Sequence, residues 1–251
     1  DWRIFARSER LVVKEYIEES NFIANIVLDT SGSMAFAGNG RDGEPTWSKL
    51  DYARWVAAAL GQLILGQRDV VGLILFDTES HQLLPPAGGA PQRAALLKQL
   101  EAAEPGGETE EGACLTQVVR HMPGRGIALV ISDFLGEVPA IFKGVEALIA
   151  QGHEPVLIQV LHPRELDFDF DGYLRLQDLE GSGELKVDAR VLREAYLAEV
   201  EAHQSELQKR AAAYAVDFVP MQTDAGVDVA LSRYLAVRSA RLARHAGGLR
   251  R

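Results

Sequence analysis

Four short apolar runs, each bounded by polar or turn-forming residues, predict strands that are buried on both faces of a parallel sheet. Longer stretches with apolar residues at helical spacing lie between these runs and predict helices. The predicted strands are 22–28, 69–77, 126–134 and 154–162, and the predicted helices are 46–65, 92–103, 113–121 and 138–151. Because strands that alternate with helices favour βαβ units, we predict an α/β fold with a doubly wound, mostly parallel sheet.

The pattern changes after residue 163. A Gly-Ser-Gly turn predicts a β-hairpin over 173–188, and a long charged amphipathic helix follows over 190–215. A last strand is predicted at a sheet edge, because Pro220 cannot donate to the hydrogen-bond ladder, and a helix closes the chain. We divide the chain into an N-terminal extension (1–21), a core (22–163) and a part packed on the core (164–251). The extension contains a predicted edge strand at 11–19. The last part ends with the predicted strand 216–223 and the predicted helix 227–245.

Composition narrows the possible partners and locations. The chain has 251 residues and a formal net charge of −10, which argues against nucleic acid or an anionic membrane as the main partner. The single cysteine, Cys114, excludes an intramolecular disulfide framework and a cysteine-rich metal site. The sequence contains neither an apolar run of about 18 residues nor a signal peptide, so we expect no membrane span and a cytoplasmic location. Because the chain begins with Asp1, we also expect a fragment whose upstream residues could carry targeting information.

The first candidate chemistry directly follows the first buried strand. Asp29, Ser31 and Ser33 form the pattern D-x-S-x-S at the carboxyl edge of the predicted sheet, which is where open α/β sheets bind ligands. One carboxylate and two hydroxyls are hard oxygen ligands that suit Mg²⁺. The hydroxyl ligands are neutral, so a bound ion would keep positive charge and attract a further anion. The alternative interpretation is a turn whose hydroxyls cap the next helix.

Two more oxygen ligands are expected near the same edge. Asp133 ends a later buried strand, and Thr109 lies in a polar loop just before a helix. Together with D-x-S-x-S, these residues resemble the metal-ion-dependent adhesion site of von Willebrand factor A domains. The resemblance implies direct hydroxyl ligands from Ser31, Ser33 and Thr109, with Asp29 and Asp133 acting mainly through coordinated water. It implies Mg²⁺ as the first choice of ion, with Mn²⁺ or Ca²⁺ as alternatives.

The resemblance extends over nearly the whole chain. The sequence is similar to the bacterial "domain of unknown function 58" family, whose members carry a von Willebrand A-like core and commonly accompany MoxR-type AAA+ ATPases. The resemblance implies a protein-interaction module that is not an enzyme. Such a module binds an Asp or Glu of its partner through the metal. It acts as an adaptor, assembly or chaperone-like factor beside a MoxR-type ATPase. The segments that carry this resemblance are Asp1-Trp2-Arg3 with Ala6-Arg7, Ser48-Lys49-Leu50-Asp51-Tyr52-Ala53, Ser132-Asp133-Phe134 and Asp178-Leu179-Glu180.

Several alternatives remain open at this point. A metal-dependent hydrolase could use the same acidic pocket, with Glu110, Glu111 or a remote histidine as general base. A purely structural module would leave the pocket empty. The same two glutamates could compete for the open position on the ion, and Thr116 is a fallback for Thr109. The pattern D-x-D-x-D-G at 167–172 spells the opening of a calcium loop, but Phe/Asp alternation favours a strand there.

Overall fold

The computed structural model describes residues 22–38, 47–77, 81–106, 111–170, 172–177 and 184–236. The strand expected at 11–19 and the candidate ligand Thr109 lie outside these ranges, as does the second half of the predicted last helix. Within the described ranges, no helix is both long enough and apolar enough to cross a bilayer.

A six-stranded sheet forms the centre of the molecule, in the order β3-β2-β1-β4-β5-β8. Its strands are β1 (Ile23–Asp29), β2 (Val70–Phe76), β3 (His81–Ala87), β4 (Ile127–Ser132), β5 (Glu154–Leu161) and β8 (Asp217–Gln222). All neighbouring strands are parallel except β2 and β3, which are antiparallel. The carboxyl end of β1 therefore lies between those of β2 and β4.

Helices cover both faces of the sheet. They are α1 (Lys49–Gly66), α2 (Gly89–Ala102), α3 (Glu111–Val119), α4 (Val138–Ala150), α5 (Pro163–Asp167), α6 (Ala189–Ala213) and α7 (227–236). One hydrophobic cluster joins α1, α2 and α7 to one face of the sheet. A second cluster joins α3, α4 and α6 to the other face. This is the doubly wound arrangement that the sequence predicts.

The apolar run of β1 explains why this strand is central. Ile26 and Leu28 belong to the cluster on one face, whereas Val27 belongs to the cluster on the other face. All three side chains are fully buried. Successive side chains of a strand point to opposite faces, so only a strand covered on both sides needs apolar residues at every position.

The C-terminal part contributes to the sheet as well as packing on it. The antiparallel hairpin of β6 (Tyr173–Gln177) and β7 (Glu184–Asp188) leads into α6, and the chain then returns to the sheet as β8. β8 pairs with β5 in parallel and forms the outer edge. Pro220 is exposed on β8, as expected for a residue without an amide hydrogen.

The strand expected from the Phe/Asp alternation near residue 167 is wrong. Residues Pro163–Asp167 form the short helix α5, and 168–170 are irregular. Pro163 is compatible with this helix because it occupies the first turn, where the missing amide hydrogen breaks no helical hydrogen bond. Phe168 then ends the helix with a φ of 46° and buries its side chain. Burial of one ring therefore overrides the alternating pattern.

Candidate metal site

The carboxyl edge of the sheet brings the ends of β1, β2 and β4 together. Asp29 is the last residue of β1 and pairs with Phe76, the last residue of β2. β4 ends at Ser132, so Asp133 emerges beside Asp29. Both carboxylates are buried, with relative exposures of 0% and 1%. The strand order alone thus accounts for two acidic side chains that converge at one point of the edge.

Asp29 is held by hydrogen bonds from both sides. Its Oδ1 accepts a 2.9 Å hydrogen bond from the backbone amide of Ser31, and its Oδ2 accepts a 2.6 Å hydrogen bond from the hydroxyl of Ser132. In the described part of the chain, no cationic side chain forms an ion pair with Asp29. Burial, reinforced by the nearby charge of Asp133, raises the pKa of Asp29 to about 7, although the hydrogen bonds act in the opposite direction. Among the described residues, Asp29 is therefore a buried acid without a cationic counter-ion.

The two serines of the D-x-S-x-S pattern contact each other through their hydroxyls. The Oγ atoms of Ser31 and Ser33 are 3.0 Å apart and share a hydrogen bond. A single 3-10 turn, Gly32–Ala35, follows Ser31 and fixes this spacing. Neighbouring ligands of an octahedral Mg²⁺ with bonds of about 2.1 Å also lie about 3.0 Å apart. The hydroxyls thus have the separation that a shared Mg²⁺ would require, and they lie next to the Asp29 carboxylate.

Asp133 has a different environment from Asp29. Its Oδ2 accepts a 2.7 Å hydrogen bond from the Lys49 ammonium, and its backbone carbonyl accepts one of 2.8 Å from Gln159 Nε2. Its Oδ1 accepts a longer, 3.3 Å bond from the amide of Leu135. Asp133 thus already has a counter-ion inside the protein, whereas its role toward a metal stays a prediction.

The turn after Asp133 is strained. Phe134 has a φ of 52°, in the left-handed region that is unfavourable for a bulky residue, and its side chain is fully buried. Its amide donates a 3.0 Å hydrogen bond to the hydroxyl of Ser132. Its carbonyl accepts one of 2.7 Å from His203 Nε2 on α6. These contacts fix the direction in which Asp133 leaves the sheet.

Lys49 and Glu165 belong to the site, although sequence reasoning did not identify them as site residues. Lys49 Nζ lies 2.7 Å from Glu165 Oε1 as well as 2.7 Å from Asp133, and Lys49 is completely buried. Burial opposes the charged form, but the two carboxylates outweigh it and raise the pKa of Lys49. Burial also raises the pKa of Glu165, although Lys49 acts in the opposite direction. The Ser48–Ala53 segment was the only signal for Lys49, and it did not indicate that the side chain turns inward.

Thr109 lies outside the described residues, but Gly106, earlier in the same loop, is described. The amide of Gly106 donates a 2.9 Å hydrogen bond to the carbonyl of Thr30, inside the D-x-S-x-S segment. Thr109 is the third residue after Gly106 in the sequence. The role of Thr109 stays a prediction.

The described residues fit a divalent cation by their chemistry. The structure brings together Asp29, Ser31, Ser33 and Asp133, as predicted. Within the described ranges, no three His, Cys, Asp or Glu side chains form a metal-binding cluster. A cation here would therefore need the serine hydroxyls as well as carboxylate oxygens, and the metal site stays a prediction.

Comparisons with known proteins agree with the sequence prediction. The model of a family described as "Protein of unknown function DUF58" matches residues 1–206. An uncharacterized protein of Mycobacterium tuberculosis is 26% identical over 243 residues, which cover 95% of this chain and 74% of that protein. The predicted family resemblance is confirmed.

A solved structure shares the fold. The conserved hypothetical protein BatB from Bacteroides thetaiotaomicron superposes with a TM-score of 0.53 at 17% identity, covering 87% of this chain and 99% of that chain. A von Willebrand factor type A protein from Catenulispora acidiphila covers 75% of this chain and 43% of that chain, with a TM-score of 0.41 and 17% identity. The BatB likeness and the strand order confirm the predicted α/β fold with a mostly parallel sheet.

Proposed function

Since this chain belongs to the family described as "Protein of unknown function DUF58", and the matched residues include the whole candidate site, we propose that it is a divalent-cation-dependent protein-interaction module. Domains with this von Willebrand A-like fold generally mediate protein–protein interaction. Mg²⁺ is the proposed ion, with Mn²⁺ or Ca²⁺ as substitutes. The proposed ligand set is Asp29, Ser31, Ser33, Thr109 and Asp133.

The observation that carries this proposal is the pair of serine hydroxyls beside Asp29. They are spaced as Mg²⁺ ligands would be, and the neighbouring carboxylate is buried without a cationic partner among the described residues. Burying an unpaired charge is costly, so a site of this kind favours a bound cation. When bound, the ion would supply an electrophilic position for a carboxylate of another protein.

The partner is proposed from the family resemblance. A MoxR-type AAA+ ATPase, or a protein that such an ATPase remodels, would supply the Asp or Glu side chain. This chain would then act as an adaptor or assembly factor. Its own residues would orient the ion: Ser31 and Ser33 by ligation, and Asp29 through the hydrogen bonds that fix its carboxylate.

Calorimetric titration tests the metal site directly. We expect Mg²⁺ and Mn²⁺ to bind the wild-type chain with one-to-one stoichiometry and Ser31→Ala to weaken binding at least tenfold. Ser205→Ala, on α6, is the matched control and should bind as the wild type does. If the wild type binds none of Mg²⁺, Mn²⁺ and Ca²⁺ at millimolar concentration, the metal role is wrong.

Partner binding requires a separate measurement. A purified MoxR-type AAA+ ATPase from the same organism is immobilised, and the chain is passed over it with Mg²⁺ or with chelator. We expect binding in Mg²⁺ that is lost in chelator and absent for Ser31→Ala. Equal binding with and without chelator would contradict the proposed role of the ion.

A further inference from the structure

Lys49 is a buried ammonium that joins two carboxylates from distant parts of the chain. Its Nζ lies 2.7 Å from Asp133 Oδ2 and 2.7 Å from Glu165 Oε1. The side chains of Lys49 and Asp133 are 1% exposed and that of Glu165 is 15% exposed. Solvent therefore screens this triad poorly, and its charges act strongly on anything bound nearby.

Both ends of the triad are anchored. Lys49 is the first residue of α1, and its amide donates a 3.0 Å hydrogen bond to the carbonyl of Phe36, in the segment that follows D-x-S-x-S. Its ammonium lies 5.9 Å from the centroid of the Phe36 ring. The ammonium thus approaches the site from a fixed helix end and cannot turn towards solvent without breaking both ion pairs.

Glu165 is fixed just as firmly at the start of α5. Its Oε2 accepts a 2.8 Å hydrogen bond from the amide of His162, which closes a capping box, so only Oε1 faces Lys49. Its backbone carbonyl accepts a 3.0 Å hydrogen bond from the hydroxyl of Tyr196 on α6. The Glu165 carboxylate therefore has one oxygen committed to the helix cap and one to the ammonium.

The charges give the triad a consequence for metal binding. Asp29, Asp133 and Glu165 carry three negative charges when ionised, and Lys49 carries one positive charge, so one divalent ion would neutralise the group. Without the ammonium, Asp133 and Glu165 would lose their counter-ion, and the group would keep excess negative charge with the ion bound. A partner's carboxylate would then be repelled. Mg²⁺ takes few carboxylate ligands, whereas Ca²⁺ accepts a larger and more flexible oxygen shell.

We propose that Lys49 is the specificity-determining residue of the site. Its ion pairs hold Asp133 and Glu165, so that Asp133 reaches the ion only through coordinated water and Glu165 does not reach it. The site then prefers Mg²⁺, and the ion stays electrophilic enough to take a partner's carboxylate. This inference rests on the proposed metal function. It assigns to Lys49 and Glu165 a role that differs from ligation.

The test compares Ca²⁺ and Mg²⁺ binding of the full chain by calorimetry. Lys49→Met removes the charge and retains most of the side-chain length. We expect it to bind Ca²⁺ about tenfold or more tightly than the wild type, because Asp133 is released as a ligand and one positive charge is removed, and to lose the preference for Mg²⁺. At saturating ion, its binding to the MoxR-type ATPase should fall at least tenfold. Lys143→Met, at an exposed position of α4, is the control and should change neither quantity.

The double variant Lys49→Met/Glu165→Gln is a second test in case Lys49→Met fails to fold. It removes both charges of the Lys49–Glu165 ion pair, so Glu165 is not left as an unpaired charge. We expect it to bind Ca²⁺ more tightly than the wild type, since Asp133 is still released. If wild-type metal binding is present and both folded variants bind Ca²⁺ as the wild type does, the inference about Lys49 is wrong while the proposed function stands. If neither the wild type nor the variants bind any ion, the proposed function itself fails.

Discussion

The amide of Gly106 and the carbonyl of Thr30 are joined by a 2.9 Å hydrogen bond, which ties the loop before α3 to the segment that contains Ser31. The position of Thr109, three residues after Gly106, leads to a first prediction. Thr109→Ala should weaken Mn²⁺ binding about 10- to 100-fold, because even outer-sphere partners of metal ligands contribute that much.

Thr116 provides the matched control for this experiment, because it is a threonine on α3 close to Thr109 in the sequence. Thr116→Ala should leave Mn²⁺ affinity unchanged in the same calorimetric titration. The opposite result, with Thr116→Ala impaired and Thr109→Ala normal, would transfer the hydroxyl ligand to Thr116.

Asp29→Asn should stabilise the metal-free protein at pH 8. The pKa of Asp29 is raised to about 7 from an ordinary value of 3.8, so the folded state binds a proton more tightly than the unfolded state does. Stability from this group is therefore fully present below pH 3.8 and is lost as the pH rises to about 7. The loss amounts to up to about 4 kcal/mol. Asparagine avoids it, because its amide can donate to Ser132 Oγ while its oxygen accepts from Ser31.

Urea unfolding with chelator at pH 5 and pH 8 measures this effect. The wild type should lose stability between the two values, whereas Asp29→Asn should lose less. With Mg²⁺ at pH 8 the order should reverse, because only the carboxylate gains from the ion. A variant that is less stable than the wild type in chelator at pH 8 would show that the buried charge of Asp29 is compensated.

His153 should make the protein less stable in mild acid. It is buried just before β5, and burial lowers its pKa below 6.5, although a backbone contact with Gly126 acts in the opposite direction. Below pH 6.5 the unfolded chain takes up the proton more readily, so the stability contributed by neutral His153 is lost as the pH falls.

Thermal unfolding from pH 7.5 to pH 5 checks this prediction in chelator. His153→Gln should show a flatter pH dependence than the wild type. His121→Gln, at an exposed position after α3, should follow the wild-type curve. Identical pH profiles for the wild type and His153→Gln would contradict the prediction.

Gly144→Ala should destabilise the fold, because α3 and α4 approach closely at this glycine. A methyl group on Gly144 would collide with the side chain of Leu115, beginning at its Cβ, which cannot move without shifting α3. We expect a loss of about 1–3 kcal/mol in urea unfolding. Gly66→Ala, at the end of α1, is the control: nothing lies within 4 Å of the added methyl, so stability should stay level or rise by up to about 1 kcal/mol.

The central sheet and the serines could be predicted because their signals are local. Strands covered on both faces need unbroken apolar runs, as β1 shows with Ile26, Val27 and Leu28. The carboxyl end of such a strand is also known from the chain direction alone. This was enough to predict Asp29 and Ser31 at the carboxyl edge of the sheet. Hydrophobic pattern and topology thus sufficed for both.

Lys49 and Glu165 could not be predicted as site residues, since a lysine at a helix start is usually exposed. Only the approach of α5 to α1 shows that this lysine is buried, and these two residues are 116 positions apart. The failed strand near Phe168 has a similar cause: a tertiary contact of one ring outweighed the local alternation.

Helix α6 has a mechanical consequence for the edge of the sheet. Tyr196 and His203 lie about two turns apart on α6. They donate hydrogen bonds to the backbone carbonyls of Glu165 and Phe134, which are next to or part of the two acids that pair with Lys49. Because both donors belong to one helix, a tilt of α6 moves both hydrogen bonds at the same time. A displacement of α6 would therefore act on the backbone at Glu165 and at Phe134 together, and so on both acids that pair with Lys49.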